Sequence, residues 1–477
     1  MHLLDNQKNS RRAFLRRSGQ LALAGTALPM ALNLAAMGEA AAFDATDYKA
    51  LVCVFMVGGN DYANTVVAYD DLHYNQYQAI RTNIALGKAP LAPTLLQPSV
   101  ALANGRQYAL HPAMSRMAGL FNTGKAAVQL NVGPLVRPLT RAQYDSGNRV
   151  QYPMPPSLFS HNDQQSIWQS SSPEGSTVGW GGNIGDLALA GNRTSLFTCI
   201  SVTGNAVFLS GDSALQYQVS PKGAVGINCI KDPVYGSSAV QAALANMVQQ
   251  PRGHVLENIY TAATARSVLA ESKITSALAG ATLATPFPSD NPLADQLKMV
   301  ARLIAARSTL GNTRQVFFVA MGGFDLHDNL MARHPILLGQ VSDAMASFYN
   351  ATVELGVANK VTAFTGSDFG RTLTSNGDGA DHGWGNHHFV VGGAVQGQAF
   401  YGTPPPMSAG DTAAPEDQWH VGQGRLLPST SVDQYAATLA RWFGVQPGEM
   451  AGILPNLSNF GPAAGRADYP INLGFLG

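Results

Sequence analysis

The sequence is poor in charge and in cysteine. Only 13% of its 477 residues are charged, and 30 Lys and Arg balance 30 Asp and Glu. This balance leaves no basic surface for nucleic acid or for an acidic membrane. Three cysteines, Cys53, Cys199 and Cys229, cannot make a disulfide framework. Cys53 stands inside an apolar run and reads as a core residue, whereas Cys199 and Cys229 remain open to pairing in an oxidising compartment. Long hydrophobic runs are missing as well. The one near the N-terminus is interrupted by Pro29 and Asn33, so no permanent membrane span is expected.

That N-terminus reads as an address. Ser10-Arg11-Arg12-Ala13-Phe14-Leu15 has the twin-arginine pattern, a weakly apolar run follows, and Ala40-Ala41-Ala42 suits cleavage. Residues 1–42 are therefore expected to be a signal peptide, with the twin-arginine translocon as export partner and a periplasmic or secreted destination. Removing them takes away five Lys/Arg and two acids, leaving 25 basic and 28 acidic residues. Residues 43–477 are ample for one α/β domain, with an insertion expected around 180–250, where Gly, Ser and Pro crowd between short strand signals.

Three apolar runs have the character of central parallel strands buried on both faces: Ala50–Val57, Arg314–Met321 and Val361–Phe364. Each leads into a loop carrying acid. The first ends in Gly58-Gly59-Asn60-Asp61, the second in Gly322-Gly323-Phe324-Asp325-Leu326-His327, and the third in Ser367-Asp368, with Arg371 three residues on. Open α/β sheets bind ligands beyond the carboxyl ends of their strands. Asp61 has a competing reading as a turn residue, because Gly-Asn-Asp is ordinary turn chemistry. Asp325 and His327, two apart in extended chain, point to the same side and could bind one cation.

The third loop is the densest. Asp368, Asp378 and Asp381, together with His382, His387 and His388, lie within twenty-one residues of a chain that has eleven histidines. Upstream, Ser160-His161-Asn162-Asp163 opens an amphipathic run and reads as a helix start. Ser160 either caps that helix or turns its oxygen to an anion site at the helix N-terminus, and His161 either assists there or lies on the surface. Asp and His groups converging on one sheet edge suit one or two divalent ions such as Zn or Mn. Ser160 would then serve as nucleophile and Arg371 would hold an anionic oxygen of the substrate.

The motifs GGND, SHND, GGFDLHDN, TGSDFGRT and DHGWGNHHFVVGG resemble the bacterial family known as domain of unknown function 1501. That family is distantly similar to the alkaline phosphatase superfamily, which includes sulfatases. The resemblance implies a central, mostly parallel sheet flanked by helices with loop-rich insertions. It also implies a metal site with Asp61, Ser160 and Asp368 around one ion, and Asp325, His327 and one of His382, His387 or His388 around the other. The expected function is hydrolysis of a phosphate or sulfate ester, with an anionic ester or glycan as substrate. The alternative is a non-catalytic periplasmic binding or assembly protein on the same fold. Phe369 departs from the superfamily pattern, in which a histidine follows the acid; His382 is the candidate replacement.

Overall fold

The computed structural model describes residues 47–477. The twin-arginine segment and its cleavage site lie outside the described residues. Among the described residues twelve strands form in the order β1 (Lys49–Met56), β2 (Val66–Ala68), β3 (Tyr108–Leu110), β4 (Ala126–Gly133), β5 (Cys199–Ser201), β6 (Tyr217–Ser220), β7 (Gly223–Ala224), β8 (Arg314–Met321), β9 (Val361–Ser367), β10 (Asn386–Gly392), β11 (Ala399–Tyr401) and β12 (Thr430–Ser431). Ten of them build one sheet in the order β11-β4-β10-β9-β1-β8-β5-β6-β7, with β12 also paired to β4. β1 runs parallel to both β8 and β9, while β10 is antiparallel to β9 and β4. The architecture is a mixed, mostly parallel sheet between helices.

β1 shows why its sequence is apolar without alternation. Ala50, Val52, Val54 and Met56 enter one core, and Leu51, Cys53 and Phe55 enter the other. A strand covered on both sides has no solvent face to mark with polar residues. The helices Ser115–Asn122, Pro292–Ala305 and Leu330–Glu354 contribute to the first core, while Trp180–Ala188 and Val432–Phe443 contribute to the second. Each fully buried Leu, Val or Phe contributes about 1.5–3 kcal/mol, so these layers hold the sheet edge rigidly under the loops.

Ala206–Leu209 reads as a strand, but Val207–Leu209 forms a 3-10 turn whose Phe208 packs edge-on against Trp180, so tertiary packing overrides β propensity. Cys199 is buried in β5, Cys229 is exposed, and both are free thiols. Among the described residues no helix is long and apolar enough to cross a membrane.

Candidate metal centre

β1, β8 and β9 are in register and parallel, so the loops after them leave the same edge of the sheet. Gly58 lets two of these loops touch. Its φ of +117° suits glycine, and a Cβ there would lie 2.5 Å from the Asp325 nitrogen. Arg371 stitches the loops together. Its guanidinium donates to the carbonyls of Gly58, Gly59, Phe324 and Ala380, and to Asp325 Oδ1 at 2.6 Å. Arg371 is thus buried and committed to positioning the loops.

Asp325 stands at the centre. Burial raises its carboxyl, but the hydrogen bond and charge of Arg371 outweigh that and hold it at about 2. Three imidazoles face it by their Nε2 atoms: His327 and His382 at 3.1 and 3.2 Å from Oδ1, and His161 at 3.4 Å from Oδ2. In each ring the other nitrogen has an acceptor. His161 Nδ1 meets Asp368 Oδ2 at 2.7 Å, His327 Nδ1 meets Asp381 Oδ1 at 3.1 Å, and His382 Nδ1 meets the Phe159 carbonyl at 2.7 Å. A carbonyl or carboxylate only accepts, so in each ring Nδ1 carries a hydrogen and Nε2 is the atom turned toward Asp325; the hydrogen bond to Asp368 raises the His161 pKa.

The consequence is an unresolved polar contact. His327 Nε2 and His382 Nε2 lie 2.9 Å apart. Burial lowers the His382 pKa and so favours its neutral form, whose Nε2 has no hydrogen to offer. His161 Nε2 is buried without a hydrogen-bond partner. Metal-binding histidines have this pattern, with one nitrogen fixed by a carboxylate or carbonyl and the other free to ligate. Ligand atoms around tetrahedral zinc stand about 3.3 Å apart. Ligand atoms of His161, Asp325 and His382 all lie within 4.8 Å of one another and could hold one cation, and His327 Nε2 lies beside Asp325 and His382 at 3.1 and 2.9 Å.

Phe369 walls this cluster. Its ring centroid lies 4.8 Å from that of His161 and 4.5 Å from that of His382. A family model described as "Protein of unknown function (DUF1501)" matches residues 48–450, a span that includes every residue of the cluster. The chain belongs to the DUF1501 family. No curated protein matches this DUF1501 chain. Among solved structures it is similar to Ps i-CgsB in complex with k-i-k-neocarrahexaose, at 8% identity over 87% of this chain and 78% of that one, TM-score 0.35. The lipoteichoic acid synthase LtaP from Listeria monocytogenes matches at 9% identity over 86% and 75%, TM-score 0.32. The alkaline phosphatase from the Antarctic bacterium TAB5 matches at 9% identity over 75% and 95%, TM-score 0.27.

Of the other candidate residues of this DUF1501 chain, Asp368 stands behind the group through His161 and the rest lie outside it. Asp61 caps the short helix Tyr62–Thr65, accepting from Ala63 N at 3.0 Å and Asn64 N at 3.1 Å, and its second oxygen pairs with buried Arg81. Asp368 is fully buried, holds His161, and also accepts from Gln165 Nε2 at 2.8 Å. His387 and His388 are core residues, pushed down to about 3 by burial. The His387 ring packs on Tyr62, and the His388 ring packs on Trp168 and Tyr435. Ser160 opens the helix His161–Ser170 without spending its hydroxyl on the cap. Asp381 and Phe159 are the partners that sequence reading did not assign. For His161 the available signal was Gln165, one helical turn on, which reaches the same carboxylate.

Proposed function

We propose that this chain is an exported, metal-dependent hydrolase of phosphate or sulfate esters working at a one-cation site, with Ser160 as nucleophile. The observation that carries the reading is that the Nε2 atoms of His327 and His382 lie 2.9 Å apart beside Asp325, an arrangement that a divalent ion would relieve. His161, Asp325 and His382 would hold the ion, with His327 Nε2 beside Asp325 and His382 as a further donor. Zn or Mn bound there would act as a Lewis acid toward an oxygen of the ester.

The chain's own groups supply the rest. Ser157 and Phe159 have φ of +49° and +75°, a conformation costing on the order of 1–2 kcal/mol per residue, and so strain precedes Ser160. That turn brings the Phe159 carbonyl to His382 and sets Ser160 at a helix N-terminus whose first amides carry no side-chain cap. Such amides stabilise an anionic oxygen. Attack forms a bond from Ser160 Oγ to phosphorus or sulfur and breaks the bond to the alcohol oxygen. The serine proton leaves with the alcohol, and water then releases the inorganic anion and restores the hydroxyl.

The test is hydrolysis of p-nitrophenyl phosphate and p-nitrophenyl sulfate by protein loaded with Zn or Mn. Turnover that is lost in Ser160→Ala, with bound metal retained, supports the reading. Turnover of neither ester by fully loaded protein contradicts it.

A further inference from the structure

Beside the cluster lies a cleft of about 400 Å³. Gln165 joins the two, since it lines the cleft and donates to Asp368. The floor includes Phe55 and Phe318, whose ring centroids lie 6.0 Å apart, and the walls are amides and hydroxyls. No Lys, Arg or His lines it, and Glu174 is its one charged residue.

From this lining we infer that the alcohol carrying the ester is a neutral saccharide, an inference that rests on the ester-hydrolase reading above. A phosphorylated chain or an acidic peptide would need cations, and here it would meet only the Glu174 carboxylate. A sugar ring offers hydroxyls that both donate and accept around an apolar face, and the cleft matches both. The side chains of Asn162 and Asn205 make no hydrogen bonds with the other described residues and remain free for a ligand. Gln169 spends its oxygen on Phe208 N at 3.1 Å and keeps its amide hydrogens, whereas Gln165 spends its nitrogen on Asp368 and keeps its oxygen. The cleft therefore presents uncharged donors and acceptors beside the single carboxylate of Glu174.

The experiment uses the full chain carrying Ser160→Ala, which cannot turn a substrate over. It is applied to an array of immobilised neutral, sulfated and phosphorylated oligosaccharides, with AMP binding measured separately by calorimetry. Capture of saccharides, weakened about tenfold or more by Asn162→Ala/Asn205→Ala, is the expected result, because each lost hydrogen bond contributes about 0.5–1.5 kcal/mol. No capture of any oligosaccharide, capture indifferent to the two substitutions, or tighter binding of AMP overturns the inference. Failure of p-nitrophenyl ester hydrolysis alongside intact saccharide capture points instead to the hydrolase reading as the one at fault.

Discussion

Asp61→Asn separates the two roles that an acid after the first strand can have. In the structure the carboxylate caps a helix turn and neutralises Arg81, whose side chain is fully buried. Asparagine keeps an oxygen for the Ala63 and Asn64 amides but removes the charge opposite the guanidinium. Leaving one buried ion unpaired costs about 3–5 kcal/mol. Domain stabilities are about 5–15 kcal/mol, so the loss is a large fraction of the whole. Replacing both partners, as in Asp61→Asn/Arg81→Met, removes the orphaned charge and recovers most of that loss. Urea unfolding followed by tryptophan fluorescence reads the stability, and elemental analysis of the same samples reads the cation. The single variant is expected to unfold at markedly lower urea with its metal content intact. An unchanged midpoint with lost metal would refute the capping role and return Asp61 to the ligand set.

Three further outcomes follow from the same contacts. Gly58→Ala forces a Cβ against the Asp325 backbone at φ +117°; we expect about 1–3 kcal/mol of destabilisation by thermal unfolding and weaker cation binding by competition with a chelating dye. Arg371→Lys keeps a charge but cannot reach the four carbonyls and Asp325 together. Stability is expected to fall by roughly 3 kcal/mol or more, and cation affinity to fall with it, as read in the same two assays. Asp433 lies buried near Ser171 and Asn456, and burial raises its carboxyl to about 6. The folded state thus holds this proton more tightly than the unfolded one. Its contribution is most favourable below the ordinary carboxyl value of 3.8 and is lost as pH rises to about 6. Asp433→Asn should stabilise by up to about 3 kcal/mol at pH 7 and by almost nothing at pH 3.5, measured by urea unfolding at the two pH values.

The fold was legible where burial on two faces leaves an unmistakable record. β1, β8 and β9 are near-continuous apolar runs, and their parallel order puts the acid-bearing loops on one edge. That Asp325, His327 and His382 meet was legible for the same reason, since glycines and acids crowd after those strands. The placing of His161 was not, because it depends on Asp368, 207 residues away, fixing one nitrogen of the ring. Nor does sequence reveal that Arg81, twenty residues on, claims Asp61. His387 and His388 resembled a ligand pair, but Asn386–Gly392 is a strand buried throughout, so its polar residues face protein rather than a solvent-open site. Their crowding beside Asp381 came from a loop meeting a strand, and spacing along the chain does not mark that boundary.

The most direct measurement is the cation stoichiometry of the full chain purified without chelator, beside His327→Ala/His382→Ala. The account predicts close to one divalent ion per chain in the native protein and its loss in the variant, with the fold retained by circular dichroism. A folded native protein that takes up no Zn or Mn even after reloading, or a variant that binds as well as the native chain, would contradict it.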